Sequence, residues 1–213
     1  MLPYFGGLTF SMSILRVDGW KGFDAVFAHP PANTQQILHP ELYRSSKVPA
    51  PLKLDLPEHL PGDGWTLLEE NSMGEFGWKE ILKQFLDEPR AKKMAAAWDG
   101  DTYATYERKG DKHLLLFTRL RLADDSAAAR FFAQYSDALD KKYTDRNHFY
   151  SQPGFYSFDT RDGGVFLRCS GNECITFEGG DRALLLQWNN KLGWGPLPGE
   201  PKAPLASDLK AAD

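Results

Sequence analysis

Apolar residues recur at helical spacing over several parts of the chain, most regularly between residues 124 and 143. There they form one stripe, made of Ala128, Phe131, Phe132, Tyr135, Ala138 and Leu139. Asp124 or Asp125 stands where a helix N-cap belongs. Weaker repeats predict a helix over residues 3–17 that ends at Gly19, a short second helix up to His29, and helices over residues 72–86 and 89–98. In the third of these, Ser72 and Glu75 have the spacing of a capping box.

Runs rich in β-branched and aromatic residues predict an antiparallel sheet. "TYATYER" and "HLLLFTRLRL" flank a turn at "KGDK" and read as a hairpin. "WTLLEEN", "FYSFDT", "GGVFLRC" and "CITFEG" read as further strands, and "DRALLLQWNNKL" fits a helix better than a strand. His113 would begin a strand and His148 would end a helix, both exposed to solvent.

These patterns predict an α+β fold in which a helical N-terminal part and a proline-rich connector precede an antiparallel β-sheet packed against a long helix. We expect a helical segment at residues 1–43, a connector at 44–64, a sheet-plus-helix domain at 65–194 and a loose tail at 195–213. With 213 residues and 42% hydrophobic residues, the chain can form a core without help from metals.

The segment "HPPANTQQILHPELY" contains two His-Pro pairs, at His29 and His39. Asn33 and Gln36 have capping-box spacing, and prolines bound the short helical turn between them on both sides. Two histidines and the nearby Glu41 would be conceivable metal ligands, but their spacing does not match that of a ligand set on a rigid element. We therefore interpret the segment as a pinned turn and expect His39 to bond a backbone carbonyl.

Net charge and hydropathy exclude several classes of function. The net charge of −4 argues against a protein that binds duplex nucleic acid, and no apolar run is long enough to span a membrane. The N-terminal segment lacks the positive residues and the cleavage site of a signal peptide, so an exported protein would have its signal upstream of this chain.

The chain's cysteines, Cys169 and Cys174, flank a turn at "SGNE" between β-rich runs. Cysteines that face each other across a short hairpin loop can reach disulfide distance, and free thiols are the alternative. We favour the disulfide, which points to an oxidising, extracytoplasmic location, periplasmic or secreted.

A search for catalytic motifs finds no H-E-x-x-H, no G-x-S-x-G, no P-loop and no glycine-rich dinucleotide fingerprint. Asp99 and Asp101 flank Gly100, but the segment offers too few oxygen ligands in sequence for a calcium loop and fits a helix-to-strand turn. We assign no catalytic residue, no metal ligand and no cofactor. An enzyme with a dispersed site is the remaining catalytic interpretation.

The N-terminal half carries a linked set of motifs. "PYFGGLTF", the Gly19-Trp20 pair and "PPANTQQILHPELY" are followed by "MGEFGW" and "WDGDTY". Over residues 3–140 the chain resembles a bacterial and archaeal family related to gluzincin-type zinc metallopeptidases. The matching positions of the His-Pro segment are Pro30, Pro31, Thr34, Gln36, His39, Pro40 and Tyr43.

The resemblance implies a C-terminal region of such a protein without its catalytic centre. Members of that family carry the H-E-x-x-H helix and a further zinc-binding Glu before this segment, and neither is in this chain. We therefore expect a non-catalytic accessory region with a structural or interaction role. Its partner would be an upstream peptidase-like domain or a second copy of the chain. The alternative is a free-standing binding module that holds a peptide or small ligand on an aromatic face of the sheet.

Overall fold

The computed structural model describes residues 2–60 and 64–197. Its first part is helical. A π-helical turn at Leu2–Gly6 leads into α1 (Gly7–Ala28), and two single turns follow, α2 (Thr34–Leu38) and α3 (Pro40–Arg44). The connector after Arg44 has no helix or extended strand in its described residues, although His59 forms one bridge with Thr66. Residues 198–213, most of the predicted loose tail, lie outside the described residues.

The second part alternates strands and helices. Its elements are β1 (Trp65–Asn71), α4 (Gly74–Leu82), α5 (Glu88–Ala95), β2 (Trp98–Arg108), β3 (Leu114–Leu122), α6 (Asp125–Lys142), β4 (Asn147–Gln152), β5 (Phe155–Thr160), β6 (Gly163–Ser170), β7 (Glu173–Gly180) and α7 (Arg182–Lys191). The seven strands form one antiparallel sheet in the order β1-β2-β3-β7-β6-β5-β4. The sheet thus consists of two meanders that α6 connects, and they join where β3 pairs with β7. The predicted α+β class is confirmed.

Side chains alternate between two cores on opposite faces of the sheet, as the period of a strand requires. On one face α4, α5 and α6 cover residues such as Leu120, Leu167 and Cys174. On the other face α7 and the connector cover Phe117 and Phe177. The connector contributes Leu54 and Leu60 to this second core, so it packs on the sheet as well as linking two parts of the chain.

The most regular predicted helix agrees closely with α6. The Asp124 carboxylate accepts a hydrogen bond from the Ala127 amide at 2.7 Å and caps the helix. The predicted apolar stripe is buried except for Phe132, which is half-buried. The helix predicted for "DRALLLQWNNKL" is confirmed as α7, capped by Asp181.

Gly19 interrupts α1, as predicted: its backbone is not helical, with φ 66° and ψ −169°, and a kink separates the helix before it from the helix after it. Other local predictions were wrong. His148 lies in β4 rather than at a helix end, and β4 is a strand that the sequence did not predict. His113 is not simply exposed, because its half-buried ring donates from Nε2 to the Gly179 carbonyl at 2.7 Å.

Candidate functional site

The second His-Pro pair meets the first turn of α4. His39 lies between α2 and α3, and its Nε2 atom is 2.9 and 3.1 Å from the two carboxylate oxygens of Glu75. Since a carboxylate only accepts hydrogen bonds, Nε2 carries the hydrogen and donates it. The predicted backbone carbonyl partner of His39 was wrong, because α4 brings Glu75, distant in sequence, against the ring.

Glu75 is a buried carboxylate, with 5% of its surface exposed, so it needs a donor in place of water. His39 supplies that donor. The predicted capping box of Ser72 and Glu75 was therefore wrong. Met73 occupies the N-cap position of α4 without a side-chain bond to the helix, and the Glu75 side chain is directed to His39.

Asp101, on β2, performs the capping of α4 instead. Its carboxylate accepts from the amides of Met73 at 2.8 Å and Gly74 at 3.0 Å, and from the Ser72 hydroxyl at 2.8 Å. It also accepts from the Trp98 indole nitrogen at 2.7 Å. A buried carboxylate with four donors is fully satisfied and fixes the start of α4 on the sheet.

Asp99 and Asp101 do not form a helix-to-strand turn. They lie within β2, where a bulge separates the pairing of Trp98 from that of Asp101. Asp99 accepts from the Arg121 guanidinium at 3.0 Å, whereas Asp101 faces α4. The bulge turns the two carboxylates to different partners, which a sequence pattern alone does not reveal.

Short helix α2 makes two further contacts with this region. The Gln35 amide donates to the Trp98 carbonyl at 2.9 Å, and the Thr34 hydroxyl accepts from the Phe76 amide at 3.4 Å. We call Thr34, Gln35, His39, Glu75 and Asp101 the α2–α4 junction. It joins the helical N-terminal part to the sheet domain through hydrogen bonds between buried or half-buried groups.

The predicted cap of α2 is present. The Asn33 side chain accepts from the Gln36 amide at 3.0 Å, as the capping-box pattern indicated. The Gln36 side chain returns a bond to the chain before the helix, where it accepts from the Ala32 amide at 2.8 Å. The side-chain nitrogen of Gln36 also donates to the Lys47 carbonyl at 3.0 Å. The Gln36 side chain therefore links the residues just before α2 to those just after α3.

The remaining motif residues shape the same segment. Pro30 and Pro31 lie between α1 and α2, and Pro40 is the first residue of α3. The Tyr43 hydroxyl donates to the His29 carbonyl at 2.7 Å. The residues after the second His-Pro pair thus contact the first pair through the Tyr43 hydroxyl and the His29 backbone. Among the described residues, no group of three or more His, Cys, Asp or Glu side chains is placed to hold a metal ion.

Helix α1 and the π-helical turn before it expose a large set of apolar side chains. We call this set the apolar α1 surface; it comprises Tyr4, Phe5, Leu8, Met12, Val17, Trp20 and Phe27. Phe10 and Ile14 on the same helix are buried, and the Phe10 ring packs edge-on against Tyr43 at 5.2 Å. Arg44 bonds Asp18 at 3.0 Å and the Ser13 hydroxyl at 2.9 Å, both near the middle of the helix. One side of α1 is thus fastened to the domain and the rest is open.

Charges along α1 are few and balanced: Arg16 and Lys21 against Asp18 and Asp24. A helix that lies on a membrane surface usually carries an excess of Lys and Arg on its polar face. None of the described helices is long and apolar enough to cross a bilayer. Balanced charges around an apolar surface are more typical of a protein–protein contact.

A buried carboxylate elsewhere, Glu178 on β7, forms a second polar cluster. Its carboxylate accepts from Lys142 and from the Tyr143 hydroxyl, each at 2.6 Å, and from Tyr135 at 3.4 Å. Burial, and then the nearby Glu178 charge, raises the pKa values of Tyr135 and Tyr143, so both phenols remain protonated donors at neutral pH. The cluster anchors the C-terminal end of α6 to the sheet. No sequence motif indicated it.

A depression of about 530 Å³ lies at the turns between β2 and β3 and between β5 and β6. It combines groups of both charges, such as Arg161 and Asp162, with glycines of β6 and β7. At its rim the Arg108 side chain hydrogen-bonds Asp111 and lowers the pKa of that carboxyl to about 2. Mixed charge gives this depression no preference for one kind of ligand.

The aromatic sheet face that the sequence suggested as a binding surface is covered. Tyr106, Phe117 and Phe177 are fully buried in the core beneath α7 and the connector. Tyr156 and Phe158 are buried in the opposite core. Most of the sheet's aromatic residues therefore fill the interior, because both faces have their own layer, whereas Phe149 and Tyr150 of the edge strand β4 are exposed.

Comparisons with known proteins are sparse. No curated protein and no solved structure matches the chain. Residues 66–187 match the model of one family, a domain of unknown function named DUF8575. The match runs from β1 into α7 and leaves out the apolar α1 surface. Because it covers more than half of the chain, the chain belongs to the DUF8575 family.

Proposed function

We propose that this chain is a non-catalytic accessory module of a gluzincin-like protein, and that it binds a peptidase-like domain through the apolar α1 surface. The observation that carries the proposal is the exposure of that surface. Large apolar side chains that are exposed together normally mark an interaction site. Only the side of α1 that holds Phe10 and Ile14 is buried by the described residues.

The apolar α1 surface is large enough for a specific interface. Tyr4, Phe5, Trp20 and Phe27 each have at least 65% of their surface exposed. If each offers about 150 Å², they contribute roughly 600 Å² together. A partner would bury a similar area, so the interface would total about 1,200 Å², within the range of stable protein complexes.

The α2–α4 junction supports a fixed presentation of this surface. His39 donates to the buried Glu75 and Gln35 donates to the Trp98 carbonyl, so the short helices beneath α1 are held to the sheet domain by contacts that are costly to break. A surface held in one orientation loses less conformational entropy on binding. The residues of the junction are largely those that carry the resemblance to the gluzincin-related family, which is why we choose a peptidase-like domain as the partner.

The test combines the purified chain with a separately produced gluzincin-type peptidase domain encoded in the same genome, and measures binding by calorimetry. Leu8→Ser and Leu68→Ser form a matched pair, since Leu8 is 60% exposed on α1 and Leu68 is 56% exposed on β1. We expect Leu8→Ser to weaken binding at least tenfold, which is about 1.4 kcal/mol, and Leu68→Ser to leave it unchanged.

Several outcomes would contradict the proposal. The first is that the wild-type chain and the peptidase domain do not bind when each is present at 100 μM. A dimer of the chain alone that Leu8→Ser dissociates would assign the surface to a second copy. Binding to vesicles of neutral lipid that Leu8→Ser abolishes would assign it to a membrane. Tight stoichiometric zinc on the purified chain would contradict the non-catalytic role.

A further inference from the structure

A small pocket between α5 and α6 combines positive charge with an apolar floor. Its volume is about 220 Å³. Arg90 and Lys93 of α5 and Arg130 of α6 form its charged rim, while Met94, Phe131 and two alanines form the floor. No carboxylate lines it, although the whole chain has a net charge of −4. The pocket is therefore a local positive site on an acidic protein.

The cations differ in how far they are engaged. Arg90 forms an ion pair with Asp87, and Arg130 donates to the Ser126 hydroxyl. Lys93 is exposed and has no hydrogen-bond or ion-pair partner within residues 2–60 and 64–197. An ammonium group beside an apolar floor attracts a ligand that has a negative charge next to an apolar body.

Gln134 adds an uncharged polar group to the same pocket. Its Oε1 atom is buried and accepts no hydrogen bond in the described structure. The terminal torsion of a glutamine side chain is soft, so a small rotation can turn this oxygen to a donor in the cavity. A ligand N–H would relieve the cost of the unsatisfied acceptor.

We infer that the α5–α6 pocket binds the C-terminal residue of a peptide with an apolar last side chain. The terminal carboxylate lies among the rim cations, the side chain rests on Met94 and Phe131, and the last backbone N–H donates to Gln134. The pocket is smaller than the roughly 300–1,000 Å³ of sites for drug-sized ligands, which suits a single residue. This site is separate from the apolar α1 surface and does not depend on the proposed function.

The test uses a fluorescein-labelled pentapeptide, Gly-Ser-Gly-Ala-Leu, with a free carboxylate, and measures its binding to the full chain by anisotropy. The same peptide with a C-terminal amide should bind at least tenfold more weakly. Lys93→Gln should weaken binding of the acid at least fivefold. Lys92→Gln is the matched control, because Lys92 is exposed on the same helix but does not line the pocket.

Further ligands distinguish a peptide C-terminus from other possible occupants of the α5–α6 pocket. Replacing the last amide of the peptide by an ester removes the N–H, and it should weaken binding about threefold in the wild type but not in Gln134→Leu. Equal affinity for acid and amide peptides would overturn the inference, as would no binding of the acid peptide at 5 mM. Octanoate or inorganic phosphate that competes as strongly as the peptide would show a simple fatty-acid or anion site and would also overturn it.

Discussion

Asp101 shows how much one side chain contributes to the connection between α4 and the sheet. Its carboxylate accepts from two backbone amides, a hydroxyl and an indole, all within 3.0 Å. In sequence it is one Asp of "WDGDTY", and the pattern predicted a turn. The role of Asp101 depends on α4, because the backbone amides that donate to it lie at the start of that helix, more than twenty positions earlier in the sequence. Sequence spacing could therefore identify a polar residue but not its partners.

We expect Asp101→Ala to lower the free energy of unfolding by about 3 kcal/mol, because it leaves buried donors of α4 and Trp98 without an acceptor. Urea denaturation followed by circular dichroism measures the change. The matched control, Asp137→Ala at an exposed position of α6, should change the value by no more than about 0.5 kcal/mol. Similar losses in both variants would show that the Asp101 network contributes little.

At the scale of elements, hairpins and the interruption of a helix were easier to predict than an edge strand. The β2–β3 hairpin and the β6–β7 hairpin were predicted, because strand runs and turn residues are local signals. The sequence also predicted that one helix ends at Gly19 and a second follows, and the backbone of Gly19 is non-helical, with a kink between the two halves of α1. The sequence missed β4, whose six residues are mostly exposed at the sheet edge.

The disulfide belongs to the β6–β7 hairpin. Cys169 and Cys174 are paired across the two strands and are bonded, as the sequence indicated. Because the closed loop is short, the chain-entropy model gives a stabilisation of about 2 kcal/mol. We expect dithiothreitol to lower the free energy of unfolding of the wild type by that amount. A double variant, Cys169→Ala with Cys174→Ala, provides the control and should not respond to dithiothreitol. An equal response of the two proteins would contradict the prediction.

At the scale of the whole molecule, the sheet has a hydrophobic core on each face. Tyr106 lies in the core beneath α7, and its hydroxyl donates to the Pro57 carbonyl at 2.6 Å. Burial, with a smaller contribution from the Glu70 charge, raises the pKa of Tyr106 to about 12. Burial also raises the pKa of Tyr156 in the opposite core. Both cores therefore contain phenols that resist ionisation.

These pKa values predict a loss of stability in alkali. A phenol with a folded-state pKa above its unfolded value of about 10 stabilises the fold fully below pH 10, and this contribution is lost as the pH rises through the folded-state pKa. For Tyr106 the loss between pH 10 and 12 is about 2 kcal/mol. We expect Tyr106→Phe to lose less stability than the wild type over that interval, measured by urea denaturation at pH 9 and pH 11.5. Tyr150→Phe, at an exposed position of β4, should follow the wild type.

The sequence by itself determined the elements whose signals are local. The stripe and cap of α6, the two hairpins, the cap of α2 and the pairing of Cys169 with Cys174 depend on residues a few positions apart. Composition and periodicity were enough for the α+β class. A resemblance in motifs suggested relation to the gluzincin-type peptidases, and that suggestion stays a prediction.

Only the tertiary structure decided which residues meet across long stretches of chain. Glu75 beside His39, Asp101 at the start of α4 and Glu178 beside Tyr143 are contacts between separate elements, so their energies depend on packing that no local pattern encodes. The same holds for exposure. Large apolar side chains predict burial, and the fold alone shows that those of α1 are covered on one side of the helix and open on the rest.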